Sequence, residues 1–298
     1  MKKIFKALSS LAAAVILVTA CNVDHKMPTY SPQNAQEVSF VQSVIVNQEV
    51  AADATTFDIT LARNTSAEAA TIAVATTLPS GVTVPSSVTF NAGESTATLT
   101  LDVAAMEVGK TYKGTISLSD TTTFNKNVSV KSTTVTLQKV YTWVSLGKGQ
   151  YMDFFFMGAP IDVEILKAEG FNRYRVMNPY PKDVISAGVP AGWYAGSQIS
   201  YFDFNINEDG TIKWDGQLKS GAVNASIGDN AYIWGYYPLD YHSSQTQQAA
   251  LCKTLEGGQI IQMYIAWLIE NSTSWYGYNA AYINMPNSTI DFEAWLNE

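Results

Sequence analysis

The sequence is poor in charge and has no cluster of basic residues. Charged residues make up 15% of the 298-residue chain, against roughly 25% in typical globular proteins. The 18 lysines and arginines are outnumbered by 26 acids, which gives a net charge of −8. An acidic chain without a basic cluster is poorly suited to nucleic acid or to anionic lipid headgroups. The composition therefore excludes nucleic acid from the expected partners.

Cysteine and histidine are also scarce, with two of each. Cys252 has no intramolecular partner once Cys21 is accounted for below, so we expect a fold without a disulfide and a small, buried Cys252. His25 and His242 lie in no zinc or Ser-His-Asp pattern. The sequence therefore predicts no metal and no cofactor.

No apolar run is long enough for a spanning helix, which needs about 20 residues. The longest, Ala7–Leu17, follows Lys2, Lys3 and Lys6, as in a secretory signal. Residues Val18–Cys21 (VTAC) resemble the bacterial lipobox. That resemblance implies a signal peptide over residues 1–20, cleavage before Cys21, and acylation (palmitate) of Cys21. The alternative is a plain signal peptide with an incidental cysteine.

Residues 21–36 are predicted to be a flexible tether, because they carry Pro, Ser, Asn and Gln without apolar periodicity. In lipoproteins of this kind, an Asp directly after the cysteine retains the protein at the inner membrane. Asn22 stands there in this chain, so the resemblance implies a lipid anchor in the outer membrane. We expect the cell surface, with the periplasmic face as the alternative.

From residue 37 to residue 139, apolar side chains alternate with threonines. In Thr55–Ala62 (TTFDITLA) and Thr96–Val103 (TATLTLDV), every second residue is apolar, which puts one side of each strand in a core. About seven such strands, separated by turn residues, predict an antiparallel immunoglobulin-like sandwich. The run Gly81–Val103 resembles the Calx-β domain, which is a sandwich of this class. Because no acidic cluster follows Asp102, calcium is not part of the prediction.

Aromatic content changes sharply after Lys139. All seven tryptophans lie at or beyond Trp143, and so abrupt a shift predicts a domain boundary. We expect residues 140–298 to form a second, aromatic-rich β domain, sandwich-like or jelly-roll-like. The fold class predicted for the whole chain is therefore all-β.

Strands of this second domain are predicted from alternation and turn residues, with one short helix, Thr246–Leu255. The predicted strands are Tyr151–Phe156, Ile161–Ala168, Arg173–Met177, Ser200–Asn207, Thr211–Trp214, Ala231–Tyr237, Gln259–Ile269 and Tyr278–Asn284.

The segments Trp143–Asp153 (WVSLGKGQYMD) and Tyr174–Tyr180 (YRVMNPY) resemble the second domain of outer-membrane lipoproteins from Bacteroidota. Those proteins pair a Calx-β-like or immunoglobulin-like domain with a β domain. Many of them are found near glycan-uptake systems. The resemblance implies the same location for this chain and a possible role beside an uptake complex.

Two loops carry large rings that suit a sugar ligand, since sugar C–H faces pack on aromatic rings. Trp193 and Tyr194 lie in a Gly/Pro-rich loop, and Trp275, Tyr276 and Tyr278 follow a polar one. Not all of these rings can reach a core, so some should be exposed. The alternative is that they fold back over the end of the sandwich.

Tyr232, Trp234 and Tyr236 alternate within one predicted strand, so all three share a face. That face is either core, which base rates favour, or a flat binding platform. We include Trp234 among the candidate glycan-stacking residues on the second interpretation.

Hydrolysis would need two carboxylates facing each other across a cleft. Asp153 and Asp203 lie among aromatics, where burial would raise a carboxyl pKa, but neither sits in a catalytic spacing. A calcium-like spacing at Asn205–Gly216 is better explained by a hairpin turn. We therefore expect a non-catalytic, glycan-binding lipoprotein that supports nutrient uptake. The alternatives are an adhesion or structural lipoprotein that contacts proteins and, last, a glycan-degrading hydrolase.

Overall fold

The computed structural model describes residues 37–64, 67–118, 130–228, 231–270 and 275–298, without the side chain of Trp275. The predicted signal, Cys21 and the tether lie outside these residues. The chain divides into two compact units, with the boundary between Val140 and Tyr141. No helix in the described part is long and apolar enough to cross a bilayer.

The described residues of the first unit form eight strands, in which Thr-rich faces alternate with apolar ones. They are β1 (Val38–Phe40), β2 (Val44–Val50), β3 (Thr56–Arg63), β4 (Ala70–Thr76), β5 (Ser87–Phe90), β6 (Thr96–Asp102), β7 (Thr111–Leu118) and β8 (Ser132–Lys139).

Two sheets of the first unit enclose one core. One has the order β1-β3-β6, and the other has the order β2-β8-β7-β4-β5. Phe40, Leu61 and Phe90 are among its fully buried side chains, as the period-two pattern predicts. The predicted sandwich is confirmed for this unit.

Arg63, at the end of β3, is buried among backbone carbonyls. Its guanidinium donates to the carbonyl oxygens of Glu94, Asn91 and Glu68, each at 2.7 Å. Its Cζ atom also lies 5.0 Å from the centre of the Phe90 ring. The charge is therefore solvated by backbone dipoles, and these bonds hold the turn at residues 91–94 against β3.

Ten strands and four short helices form the second unit. The strands are β9 (Trp143–Asp153), β10 (Ile161–Ala168), β11 (Arg173–Met177), β12 (Tyr201–Ile206), β13 (Ile212–Trp214), β14 (Leu218–Val223), β15 (Tyr232–Tyr236), β16 (Lys253–Leu255), β17 (Ile260–Ile269) and β18 (Trp275–Asn284). The helices are α1 (Lys182–Gly188), α2 (Pro238–Tyr241), α3 (Thr246–Ala249) and α4 (Phe292–Leu296).

The strands of the second unit make one antiparallel sheet that curls on itself. Its order is β13-β12-β11-β10-β9-β18-β17-β15-β14, and β16 pairs with β17. The backbone closes the curl, because Ile212 N donates to Cys252 O at 2.8 Å and Thr254 N donates to Gly210 O at 2.9 Å. The inner face encloses a core that includes Tyr151, Trp214 and Trp267. The all-β fold class is confirmed.

Most predicted strands of this unit are present, and β10 and β11 have the predicted bounds. The predicted hairpin at residues 208–210 joins β12 to β13, with Thr211 N donating to Asp209 Oδ1 at 3.0 Å. Alternation also placed β12, β15, β17 and β18 to within a few residues. Sequence patterning is therefore sufficient where a strand has one clearly apolar face.

Three predictions need correction. The strand expected at Tyr151–Phe156 instead runs from Trp143 to Asp153. It ends there because the Asp153 side chain accepts a bond from Phe155 N at 2.9 Å, which turns the chain. The helix expected at Thr246–Leu255 stops at Ala249. The strand β14 was missed because Gly and Ser interrupt its apolar residues.

Candidate functional site

A strip of aromatic side chains lies on the outer face of the curled sheet. In β15, Ile233 and Gly235 face the core, whereas Trp234 and Tyr236 are half-buried on the opposite face. A Cβ added at Gly235 would lie 2.7 Å from the Ile265 side chain, which confirms its inward position. The core interpretation of the β15 aromatic residues is therefore wrong, because every second residue of β15 points away from the core.

Neighbouring strands continue this surface with tyrosines. Tyr264 on β17, and Tyr278 and Tyr282 on β18, are half-buried, and Tyr264 and Tyr282 each stand between two buried residues. We call the five residues Trp234, Tyr236, Tyr264, Tyr278 and Tyr282 the aromatic strip. It contains two of the six predicted glycan-stacking residues, Trp234 and Tyr278.

The strand register explains why the rings lie close together. Ala266 lies opposite both Tyr236 and Tyr278, and Ala280 lies opposite Tyr264. These small side chains leave room for the larger rings to lean toward one another. The Tyr264 and Tyr278 rings are stacked, with centroids 5.4 Å apart and planes 9° from parallel.

The length of the aromatic strip can be estimated from the strand register. Leu268 of β17 lies opposite Trp234, and Gln262 lies opposite Tyr282. These two β17 positions are six residues apart, so the strip spans about 20 Å at roughly 3.4 Å per residue. A surface of this length can contact several consecutive units of a polymeric ligand.

Polar groups border the rings. The Lys219 Nζ atom lies over the Trp234 ring, 4.2 Å from its centroid. Burial, followed by the charge of Glu270, raises the pKa of Tyr236. Gln262 places a half-buried amide beside Tyr282. Hydrogen-bonding groups thus flank the apolar ring faces.

The hydroxyls of Tyr278 and Tyr282 remain protonated at neutral pH. Burial raises the pKa of Tyr278 to about 12, with smaller contributions from Tyr241 and Tyr264. Burial and the neighbouring Tyr264 also raise the pKa of Tyr282. A protonated phenol both donates and accepts hydrogen bonds, so these side chains combine a ring face with a polar tip.

Two other predicted residues, Trp193 and Tyr194, lie in a loop that folds back onto the unit. Both are half-buried and pack against the core. The loop is fixed to β14, because Val223 N donates to Trp193 O at 2.8 Å and Tyr194 forms an isolated antiparallel β-bridge with Ala222. Gly221 permits this contact: its φ is +85°, and an added Cβ would lie 2.4 Å from Gly196. For this loop the alternative of folded-back rings is confirmed.

Tyr276 lies near the same part of β14. Its ring is 40% exposed, and its hydroxyl accepts a hydrogen bond from the Asn224 side chain. The Tyr276 ring also contacts Phe155, with centroids 5.7 Å apart. Trp275 opens β18 opposite Leu268, and its side chain lies outside the described part of the structure.

Sequence reasoning missed Tyr264 and Tyr282 and gave Tyr236 only as part of the β15 stripe. A signal was present, because each tyrosine stands between apolar residues of a predicted strand. That pattern marks the tyrosine-bearing face as the less buried one. The sequence could not show that these faces adjoin, since adjacency depends on the pairing of β15, β17 and β18.

Asp153 is a fully buried carboxylate in the core. Tyr180 Oη donates to its Oδ2 atom at 3.1 Å, and Tyr151 Oη and Tyr180 Oη lie 2.9 Å apart. Burial raises the pKa of Asp153 to about 7, opposed by the hydrogen bonds from Phe155, Tyr180 and Tyr151. A side chain with 0% exposure cannot touch a ligand, so the role of Asp153 is structural.

Asp203 forms ion pairs on the outer face of β12. It accepts from Arg175 at 2.7 and 3.0 Å and from Arg173 at 3.0 Å. The Arg175 guanidinium lies between the rings of Trp143 and Tyr201, 4.1 and 3.6 Å from their centroids. This stack uses the carboxylate to hold two arginines in place.

Cys252 and His242 do not lie in a recognisable catalytic or metal-binding arrangement. Cys252 is buried, as predicted, and burial raises its pKa to about 11. His242 is exposed, with its Nδ1 atom 2.8 Å from Ser244 Oγ. Within the described ranges, no group of three or more His, Cys, Asp or Glu side chains could hold a metal ion.

Fold and site together define an all-β chain in which a curled sheet displays an aromatic outer face. No family model matches the sequence, and no curated protein matches it either. Several solved structures do match the chain, all at low identity and low TM-score.

One similar structure is a protein of unknown function from Bacteroides ovatus, with 10% identity and a TM-score of 0.33, covering 84% of this chain and 93% of that one. An auxiliary nutrient binding protein from Bacteroides thetaiotaomicron has 9% identity and a TM-score of 0.29, covering 81% and 90%. The calcium binding domain CBD12 of CALX1.1 has 14% identity and a TM-score of 0.30, covering 51% and 84%.

Proposed function

We propose that this chain is an outer-membrane lipoprotein whose second unit binds a glycan without transforming it, in support of a nutrient-uptake complex. The observation that carries the proposal is the aromatic strip. It holds five half-buried rings on one sheet face, beside amide, ammonium and carboxylate groups. Each of these half-buried rings keeps part of its surface exposed, and that part can contact a ligand.

The chemistry of the strip matches the two faces of a sugar. The apolar C–H face of a pyranose packs on an aromatic ring, and the hydroxyl edge needs donors and acceptors. Tyr264 and Tyr278 supply nearly parallel ring planes, and the bordering Lys219 and Gln262 side chains supply polar contacts. A strip of about 20 Å suits an extended chain better than a single small sugar.

A non-catalytic role is supported by the positions of the carboxylates. Asp153 is fully buried, and Asp203 is paired with Arg173 and Arg175. A glycosidase needs an acid and a second carboxylate that both reach the scissile bond. Neither side chain is placed for that work.

Glycan binding is tested by screening the purified full chain against a polysaccharide array and then titrating the hits by calorimetry. We expect the double variant Tyr264→Leu/Tyr278→Leu to lose binding by at least about tenfold, since each stacked ring contributes roughly 0.5–1.5 kcal/mol. Phe171→Leu is the matched control, because Phe171 is 42% exposed outside the strip. An array without hits, or equal losses in both variants, would contradict the proposal.

The anchor is proposed from the lipobox-like VTAC sequence before Asn22. Metabolic labelling with an alkyne fatty acid should mark the native chain and leave Cys21→Ala unmarked. Protease accessibility on intact cells then separates the external from the periplasmic orientation. An unlabelled native chain would rule out the lipid anchor without affecting the glycan proposal.

Contact with a protein is the second candidate function. It is favoured by exposed apolar side chains in the same unit, such as Leu239, Leu251 and Phe154, which are 40%, 38% and 43% exposed. Exposed apolar groups can mark a protein interface. The strip double variant is compared with the native chain in two measurements, array binding and cross-linking on cells. If the strip binds a glycan, the variant loses array binding. If the strip is a protein interface, the variant loses the cross-linked partner.

A further inference from the structure

A small groove lies where β18 meets α4, at the Tyr282 end of the strip. Three rings border it: Phe154, Tyr282 and Trp295. The Tyr282 and Phe154 planes are 89° apart with centroids at 5.9 Å, and the Tyr282 and Trp295 planes are 76° apart with centroids at 5.2 Å. Tyr282 therefore meets both other rings nearly at right angles.

Local structure fixes the position of Trp295. Asp291 caps α4 by accepting from Ala294 N at 3.2 Å, and Phe292 anchors the helix with 2% exposure. The Trp295 indole N–H donates to Glu256 Oε1 at 3.4 Å. Because the helix is both capped and anchored, the ring is held in place before any ligand arrives.

The groove also carries negative charge. Its volume is about 340 Å³, and Leu296 and Glu298 complete its lining. Residues 286–298 contain three acids, Asp291, Glu293 and Glu298, and no basic residue. Glu256 lies on the far side of Trp295. An anion would be repelled here, whereas a cation would be attracted.

We propose that this groove binds a methylated ammonium group, as carried by a small soluble molecule of the choline type. A cation over aromatic faces is attracted by the ring quadrupoles, and several rings around one cation add their effects. The Glu298 side chain contributes a carboxylate at the rim. The inference goes beyond the glycan proposal, because it concerns a different ligand in a groove that shares only Tyr282 with the strip.

The residues that line the groove favour a methylated ammonium ligand over a primary one. A primary ammonium has three N–H donors, and each needs an acceptor when it leaves water. The Phe154, Trp295 and Leu296 side chains supply ring and aliphatic carbon, whereas the polar part of the lining includes the single carboxylate of Glu298 and the tip of Tyr282. A trimethylammonium group has no N–H to satisfy, so it keeps the cation–π attraction without that desolvation cost. A volume of about 340 Å³ accommodates a group of this size.

The test uses choline and its neutral isostere 3,3-dimethylbutan-1-ol, which has the same shape without the charge. Both are titrated into the purified full chain by ligand-observed NMR and calorimetry. We expect choline to bind roughly 2- to 30-fold more tightly than the isostere, the range that cation–π contacts supply. Equal affinities would overturn the proposal, because they would show that only apolar contact operates.

Two variants locate the site. Phe154→Leu and Glu298→Gln should each weaken choline binding at least about threefold, and both positions lie at the surface, where substitution leaves the fold intact. Phe171→Leu and Glu164→Gln are the matched controls, since both residues are exposed, outside the lining and not among the acids near α4. Choline binding unchanged in the first pair, or reduced equally in the controls, would contradict the assignment. Glycan binding is measured on the same variants. A loss of choline binding without a loss of glycan binding shows that the two proposals can fail separately.

Discussion

The two units of the chain use the same β alternation but leave different side chains on their outer faces. In the first unit, exposed hydroxyls pair with one another, as Thr71 and Thr89 do at 3.0 Å and Ser117 and Ser132 do at 3.2 Å. In the second unit, the outer face of β15, β17 and β18 carries half-buried rings. Hydroxyl pairs satisfy their own hydrogen bonds, whereas one-sided rings leave apolar area open to a ligand. This difference is the basis for proposing that the second unit carries the recognition site.

The units also differ in the charge that they bury. The first unit buries Arg63 and Lys139, and both donate to backbone carbonyls. The second buries Asp153 against two tyrosines, and its pKa rises to about 7. Arginine and lysine stay charged through neutral pH, but the Asp153 carboxylate changes charge there. The stability of the second unit should therefore depend on pH in a way that the first does not share.

The largest expected effect is on the pH dependence of stability. The folded chain holds a proton on Asp153 up to pH of about 7, whereas an unfolded carboxyl releases it near pH 4. The free energy of unfolding should thus fall by up to about 4 kcal/mol between pH 4 and pH 7 and level off above. Asp153→Asn should remove that fall, as measured by urea unfolding across this range. Asp162→Asn, an exposed control, should retain it; identical profiles for both variants would refute the linkage.

A slightly smaller loss is expected when the buried cation of the first unit is removed. Arg63→Met leaves the carbonyls of Glu94, Asn91 and Glu68 without the guanidinium donors. Hydrogen bonds to a charged group contribute roughly 1.5–3 kcal/mol each, but these bonds are only part-buried, so water can replace most of the lost donors. We expect the free energy of unfolding to drop by about 3 kcal/mol, equally at pH 5 and pH 8. Lys113→Met changes an exposed cation of the same unit and should have little effect. A loss that varied with pH would weaken the contrast drawn above.

The next effect compares the strip with the loop rings. Tyr278→Leu removes one of two stacked rings, so glycan affinity should fall about three- to tenfold. Tyr276→Phe removes only the hydroxyl that Asn224 bonds, and we expect affinity to stay within about twofold. Calorimetric titration of the best array ligand measures both. A larger loss of affinity in Tyr276→Phe than in Tyr278→Leu would indicate that the glycan binds at the loops around β14 and not on the sheet face.

The smallest effect is expected on the hydroxyl face of the first unit. Thr71→Val breaks the exposed pair with Thr89 but suits a strand, so stability should change by no more than about 0.5 kcal/mol. Denaturant unfolding measures this, and glycan binding should remain unchanged. A loss of glycan binding in this variant would indicate that the glycan site lies in the first unit, against the proposal.

Sequence patterning predicted the alternating strands well and the functional rings only in part. Trp234 and Tyr278 belong to the strip, but Trp193 and Tyr194 pack against the core instead. Some rings in the glycine-rich loops were expected to be exposed, with folding back over the sandwich as the alternative. Gly221, however, allows the loop backbone to approach β14 within contact distance. A contact between segments so far apart in sequence has no local signal.

By itself, the sequence determined the all-β class, the apolar side of each strand and the position where aromatic content changes, because side-chain alternation and composition are local properties. The tertiary structure alone decided which outer faces adjoin, since strand pairing brings Tyr236, Tyr264 and Tyr278 together from separate segments. It also decided that Asp153 is buried and Asp203 is paired with arginine. Burial and charge pairing depend on residues distant in the chain, and these set the chemistry of a side chain.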